Sequence, residues 1–195
     1  MMLFRTRTLT SATAVFGALG FWVSSAIGAE PALATGFNGA LKGCEEWVLN
    51  PKSWIDGPAP FMAATGLGDQ ITPLSKVGDF ALPPRPLRRA NHYWRIDATD
   101  AAGFVLVTSD QLPMCHITGA GRGDFRSSVE AVLTGDAFRS RWERTGEQVS
   151  GNLTATNFRS RLLPSFSLVV SRATTGAQSQ GGVQVIATAQ VDTGK

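Results

Sequence analysis

Cys44 and Cys115 are the only cysteines in this 195-residue chain, and a bond between them would tie its first helix to its sheet. Whether they pair depends on the compartment, because two thiols become a bridge where the surroundings are oxidising. The amino terminus bears on that. Met1 to Ala29 carries Arg5 and Arg7, then an apolar run from Ala12 to Val23, then Ser24, Ser25, Ala26, Gly28 and Ala29, which are the three parts of a secretory signal. Cleavage is expected after Ala29, with a second Ala-Leu-Ala site ending at Ala34. The two arginines are not adjacent, against a twin-arginine route, and no cysteine stands at the cleavage point, against a lipid anchor. The apolar run is also shorter than the roughly 20 residues of a spanning helix. The expectation is a signal over residues 1–29, a single domain over 30–195, no membrane span once the signal is removed, and a periplasmic or extracellular location. In that setting the two cysteines should be joined, closing a loop of about 70 residues worth on the order of 4 kcal/mol in the chain-entropy model.

Removing the signal alters the charge. Eighteen basic against fifteen acidic residues become sixteen against fifteen without Arg5 and Arg7, so +3 falls to +1. Charges of both signs are interspersed, which lacks the clustered basic field of a nucleic-acid binder. The basic residues are mostly arginine, the side chain suited to bidentate contact with carboxylate or phosphate.

Phe37, Leu41, Cys44 and Val48 recur at the spacing of one helical face, so a helix over 37–49, ending before Pro51, puts Cys44 on its buried side. Trp47 and Trp54 fall at the helix end and in the next loop, as rings at a core edge. From residue 56 to 91 proline and glycine predict a wrapping connection with at most one short strand, at Phe61 to Ala64. Within it Pro83, Pro86 and Arg88 have the Pro-x-x-Pro-x-Arg spacing, read here as a stiff surface connector.

Strand alternation begins at His92 to Asp97, and Phe104 to Val107 is apolar on both faces, as in a covered central strand. In Leu112 to Thr118, Cys115 and Ile117 point one way while Met114, His116 and Thr118 point the other. Gly119 to Gly123 reads as a loop before a helix that carries a Ser127/Glu130 capping pattern and the apolar face Phe125, Val129, Val132 and Leu133. A further turn or short helix runs through Phe138 and Trp142. Three strands complete the chain, at Val149 to Ala155, Ser165 to Val170 and Val183 to Val191. The tripeptide Phe-Arg-Ser recurs at Phe125, Phe138 and Phe158, unequally spaced, and is read as aromatic-plus-basic surface edges.

The predicted fold is α+β: one antiparallel sheet of five or six strands, two helical regions mainly on one face, and the Cys44–Cys115 disulfide. Helix, strands, helix and three strands resemble the order of profilin-like and longin-like domains, an order that carries no activity with it.

Chemistry-bearing residues are few. A metal site would need both His92 and His116 with Asp97 or Asp110, and no His-x-x-x-His or Cys-x-x-Cys spacing supports one. Cys115 and His116 are adjacent on a strand and so point apart, and there is no Gly-x-Ser-x-Gly elbow. No catalytic set, metal or cofactor is therefore expected. Two candidate anion sites remain: the outer face bearing Tyr93, Arg95 and His116, and the backbone of Gly119, Gly121 and Gly123 ahead of the helix. The expected function is an exported, non-enzymatic protein that binds a partner protein or a small anionic ligand. A small hydrolase or transferase using His116 with Arg95, or a free Cys115, is the rival, and a subunit of an envelope assembly the third reading.

Overall fold

A computed structural model describes residues 29–50, 58–173 and 182–189. Nearly all of the predicted signal segment, together with Trp54, lies outside the described residues. Helix α1 (Pro31–Leu49) starts six residues before the predicted face because Pro31 stands in its first turn, where a fixed φ and a missing N–H cost nothing. It buries Leu33, Phe37, Leu41, Cys44, Trp47 and Val48. Gly39 lets α1 come close to its neighbour, since a Cβ there would stand 2.5 Å from the Leu67 side chain.

Among the described residues eight strands form one antiparallel sheet, not five or six: β1 (Ile71–Leu74), β2 (Asn91–Asp97), β3 (Ala102–Ser109), β4 (Met114–Gly121), β5 (Trp142–Ser150), β6 (Leu153–Ser160), β7 (Phe166–Ala173) and β8 (Val183–Ala189). Two features concealed the difference. β1 is an edge strand inside the proline-rich connection, and its Pro73 is tolerated there because an edge strand can do without one ladder N–H. The alternation from Val149 to Ala155 is in fact the tip of a β5–β6 hairpin that turns at Gly151, with φ +57°, and pairs Ser150 with Leu153. Phe61 to Ala64 is helical, within α2 (Ala59–Thr65), and Phe61 is fully buried.

The order across the sheet is β1-β2-β3-β4-β8-β7-β6-β5. Two four-stranded meanders, each preceded by helices, thus meet at β4 and β8, an arrangement that departs from the helix, strands, helix, three strands of the expected order. The second meander is preceded by α3 (Phe125–Thr134) and α4 (Asp136–Arg139). The described α-helices pack on one face, where Phe37, Trp47, Phe61, Phe125, Val129 and Phe138 join the inward side chains of the sheet in one core. Cys44 and Cys115 are bonded at a Cα separation of 5.6 Å, which pins α1 to β4 as their positions on helix and strand required.

The other face of β2–β4 is covered by the connection. Its 3-10 turn at Asp79–Ala81 brings Ala81, with Val77 packed alongside, onto Val105 and Val107, a second 3-10 turn follows at Arg85–Leu87, and every residue of β3 is buried. Arg88 folds back to donate Nε–H to the Pro83 carbonyl at 2.7 Å, and Ser109 Oγ–H donates to the Arg89 carbonyl, tying the end of the strap to the β3–β4 hairpin. No helix of the described residues is long and apolar enough to cross a membrane.

Candidate ligand cleft over the second half of the sheet

The residues singled out in the sequence are dispersed by the fold. Tyr93, Val107 and His116 form one cross-strand row on the outer face, with Arg95 in the next row two strands from His116. His116 is 1% exposed, beneath the strap, its Nδ1 3.3 Å from the Ala81 carbonyl oxygen. Burial holds the imidazole below the usual histidine pKa, against hydrogen bonds to the Ala81 carbonyl and the Gln184 side chain that favour its charged form. Arg95 is ion-paired to Asp97 at 2.9 Å. The expected open anion face is therefore a covered histidine beside a satisfied surface arginine. His92 shares its row with Thr108 and Cys115, so the two histidines point to opposite faces and cannot share a metal; no cluster of three potential ligands occurs among the described residues. His92 instead meets Asp110 at 2.7 Å. The disulfide leaves Cys115 no thiolate.

Gly119 and Gly121 belong to β4 and not to a loop. A Cβ on Gly121, at φ +91°, would stand 2.1 Å from the Ala101 carbonyl, and one on Gly123 would meet Leu33 at 2.8 Å, so both positions serve close packing. The start of α3 is already occupied: the N-cap is Asp124, whose carboxylate accepts from Ser127 N–H at 3.0 Å and from Ser127 Oγ–H at 2.6 Å. That carboxylate stands where an external anion would have to bind. Glu130, read as part of a capping pattern, is turned elsewhere.

It turns into a cleft. α3 ends at Thr134, Gly135 adopts an extended conformation, and α4 gives way to β5 at Trp142, so the helix layer breaks off above the inner face of β5–β7. A cavity of about 520 Å³ remains, within the range of small-molecule sites. Its floor is aromatic. Phe138 and Trp142 stack at 5.9 Å and 19°, and Phe158 meets Phe138 edge-on at 5.1 Å. All three rings are 6% exposed or less, which fixes their positions.

The far wall is ionic. Along β7 the inward residues Phe166, Leu168 and Val170 are followed by Arg172, whose side chain is only 8% exposed. A guanidinium taken out of water needs carboxylates and further hydrogen bonds around it. Glu130 supplies an ion pair at 2.6 Å, Glu147 lies at 3.8 Å, and Thr156 Oγ1 accepts from the second nitrogen. Glu147 in turn is held by Arg144 at 2.7 Å and by the Thr156 hydroxyl at 2.9 Å. Two cations and two anions thus form a network that is balanced within the protein. A second, polar cavity of about 240 Å³ adjoins it on the Arg126 side.

The rim is cationic. Arg139 bonds Asp136 at 2.6 Å, a pair whose carboxylate is almost fully exposed. Arg161 donates Nε–H to the Arg139 carbonyl at 3.2 Å and has no carboxylate partner among the described residues. Under the floor, Arg141 pairs with Glu45 of α1. Burial pushes the Glu45 carboxyl above the usual glutamate range, opposed by Arg141, the Trp142 indole and Lys42. Trp142 Nε1 is buried and has no hydrogen-bond partner among the described residues.

The chain matches no protein-family model, no curated protein and no solved structure. The sequence signal for the site was the repeated Phe-Arg-Ser-Arg of residues 138–141 and 158–161. Read as surface edges, the two copies instead bury their phenylalanines against each other, and Arg161 N–H bonds the Arg141 carbonyl at 2.8 Å. Arg172, Glu130 and Glu147 had no local signal: the arginine occupies a position in the strand pattern where only pairing reveals its partners.

Proposed function

We propose that this protein is an exported, non-enzymatic binding protein that holds a small molecule in the cleft between α3, α4 and the inner face of β5–β7. The observation that carries the reading is a cavity of about 520 Å³ with a rigid aromatic floor and an ionic wall completed by the protein's own residues. Such a wall is built before any ligand arrives, which lowers the ordering cost of binding. Binding without turnover is favoured because the lining contains no histidine, cysteine or lysine, and both of its glutamates are engaged by arginine.

Export is part of the proposal. The signal-like pattern of residues 1–29 supports it, as does a disulfide of the kind oxidising compartments maintain. Processing after Ala29 would keep Leu33, which is fully buried, and Glu30, whose backbone N–H donates to Ser128 Oγ at 3.0 Å. Processing after Ala34 would remove both.

Native mass spectrometry of protein isolated gently from its own compartment tests the reading. The expected species is a chain beginning at Glu30 with a 1:1 small-molecule adduct, and the adduct should be absent from Thr134→Trp, where an exposed side chain at the cleft is replaced by one that fills it. An intact amino terminus would overturn export. An adduct that survives Thr134→Trp would place the ligand elsewhere.

A further inference from the structure

Six arginines lie on the two Phe-Arg-Ser-Arg segments and the adjoining strands, four of them lining the cleft, and five of the six are matched to carboxylates. Arg139 has Asp136, Arg141 has Glu45, Arg144 has Glu147, Arg159 has Glu143, and Arg172 has Glu130. Arg161 is the exception. Its one side-chain bond among the described residues runs from Nε to the Arg139 carbonyl, and its backbone N–H is fixed to the Arg141 carbonyl. A guanidinium anchored through Nε has spent its inner donor on the protein and keeps its terminal nitrogens, the pair that grips an oxyanion with two parallel hydrogen bonds.

The surroundings agree in sign. Four arginines and two glutamates line the cavity; the glutamates are absorbed by Arg144 and Arg172 and Arg139 is paired with Asp136, so the unmatched positive charge falls at the rim, on Arg161. Behind that rim lies the floor of Phe138, Trp142 and Phe158. An anion without an apolar body would make no use of the aromatic lining, and an apolar body without an anion would leave Arg161 unmatched.

We infer that the ligand is an amphipathic organic anion, a carboxylate or phosphate on a flat apolar body, with the oxyanion held by Arg161 at the rim and the body laid on the aromatic floor. The inference rests on the cleft being the binding site and adds to it the class of ligand and the residue that selects it.

Three probes of one shape separate the elements of the inference: 2-naphthoate, 2-naphthyl phosphate and the neutral 2-naphthamide, titrated calorimetrically into the full mature chain. At least one of the two anions should bind about tenfold more tightly than the amide, as expected for one charge-assisted contact. Which of them leads identifies the oxyanion. Arg161→Gln should abolish the preference while leaving the amide unchanged, Arg161→Lys should restore part of it, and Thr134→Trp should weaken all three. Arg161 is exposed, so its variants retain the core, and an unchanged thermal melt verifies that. Equal binding of anions and amide, blocked by Thr134→Trp, would overturn the anion inference and leave the cleft standing as the site. A preference that persists in Arg161→Gln would remove Arg161 from its role. Binding of none of the probes, or binding indifferent to Thr134→Trp, would overturn both.

Discussion

The rings of Phe138 and Phe158 meet edge-on at 5.1 Å between the end of the helix layer and the last residues of β6. Each begins a Phe-Arg-Ser-Arg segment, and their contact brings two such segments together at one cavity. Edge-to-face contact sets the positive rim of one ring against the negative face of the other, so the pair contributes geometry as well as buried area.

Loss of either ring should therefore reach both stability and binding. Phe158→Ala is expected to cost about 3–5 kcal/mol of unfolding free energy, and Phe158→Leu, which refills most of the volume, clearly less. Urea denaturation measures the difference. If Phe158→Ala cost under about 1 kcal/mol, the ring would not be part of a packed floor.

Arg172 and Glu130 should behave asymmetrically. Glu130→Gln leaves a guanidinium that is 8% exposed with its nearest carboxylate removed, and is expected to destabilise by about 1–2 kcal/mol, at the low end because Glu130 itself is 43% exposed. Arg172→Met removes the buried charge altogether and should cost less than Glu130→Gln. The double variant should lie close to Arg172→Met alone, and a cycle with additive losses would contradict the pairing.

The Cys44–Cys115 bond closes a loop with a sequence separation of 71 residues. Its removal is expected to lower stability by up to about 4 kcal/mol, with the chain-entropy contribution growing only slowly with loop length. Comparing denaturation of the oxidised protein with that of the reduced protein isolates the bond without changing side-chain volume. A midpoint indifferent to reductant, with reduction verified by mass, would show that it constrains nothing.

His116 makes stability depend on pH on the acid side. Its folded pKa lies below the ordinary value of 6.5, so above about 6.5 its contribution is fully present. As pH falls through the folded pKa, first the unfolded chain and then the buried ring takes up the proton, and that stability is lost. Below pH 6.5 the wild type should lose stability more steeply than His116→Gln. Identical pH profiles for the two proteins would mean the ring is not buried in its neutral form.

Glu45 has the opposite sign. A carboxyl whose folded pKa is raised above 4.5 contributes stability that is present below about 4.5 and lost as pH rises through the folded value. Glu45→Gln retains an acceptor for Arg141 without the buried charge. The variant should gain on the wild type between pH 4 and neutrality, and a gap that narrows with rising pH would refute the assignment.

Local periodicity carried much of the architecture. The steps from Phe37 to Val48 place Cys44 on the inner face of α1, and alternation through Leu112 to Thr118 sends Cys115 inward and His116 outward, so side-chain direction in two elements agrees with the disulfide that the cysteine count suggested. Phe104 to Val107, apolar on both faces, is covered on both. Each of these properties is written in residues three, four or two positions apart.

Covering and pairing are not local. Nothing near His116 states that the stretch around Ala81, 35 residues earlier, will lie over it. β5, with exposed residues along most of its length, has no apolar alternation to reveal it and exists because β6 supplies its ladder. Arg172 becomes a wall of the cleft because α3 delivers Glu130 from one side and β5 delivers Glu147 from the other. A side chain's direction is set by its own backbone, whereas its cover, its charge partner and the cavity it lines depend on distant segments that only folding brings to it.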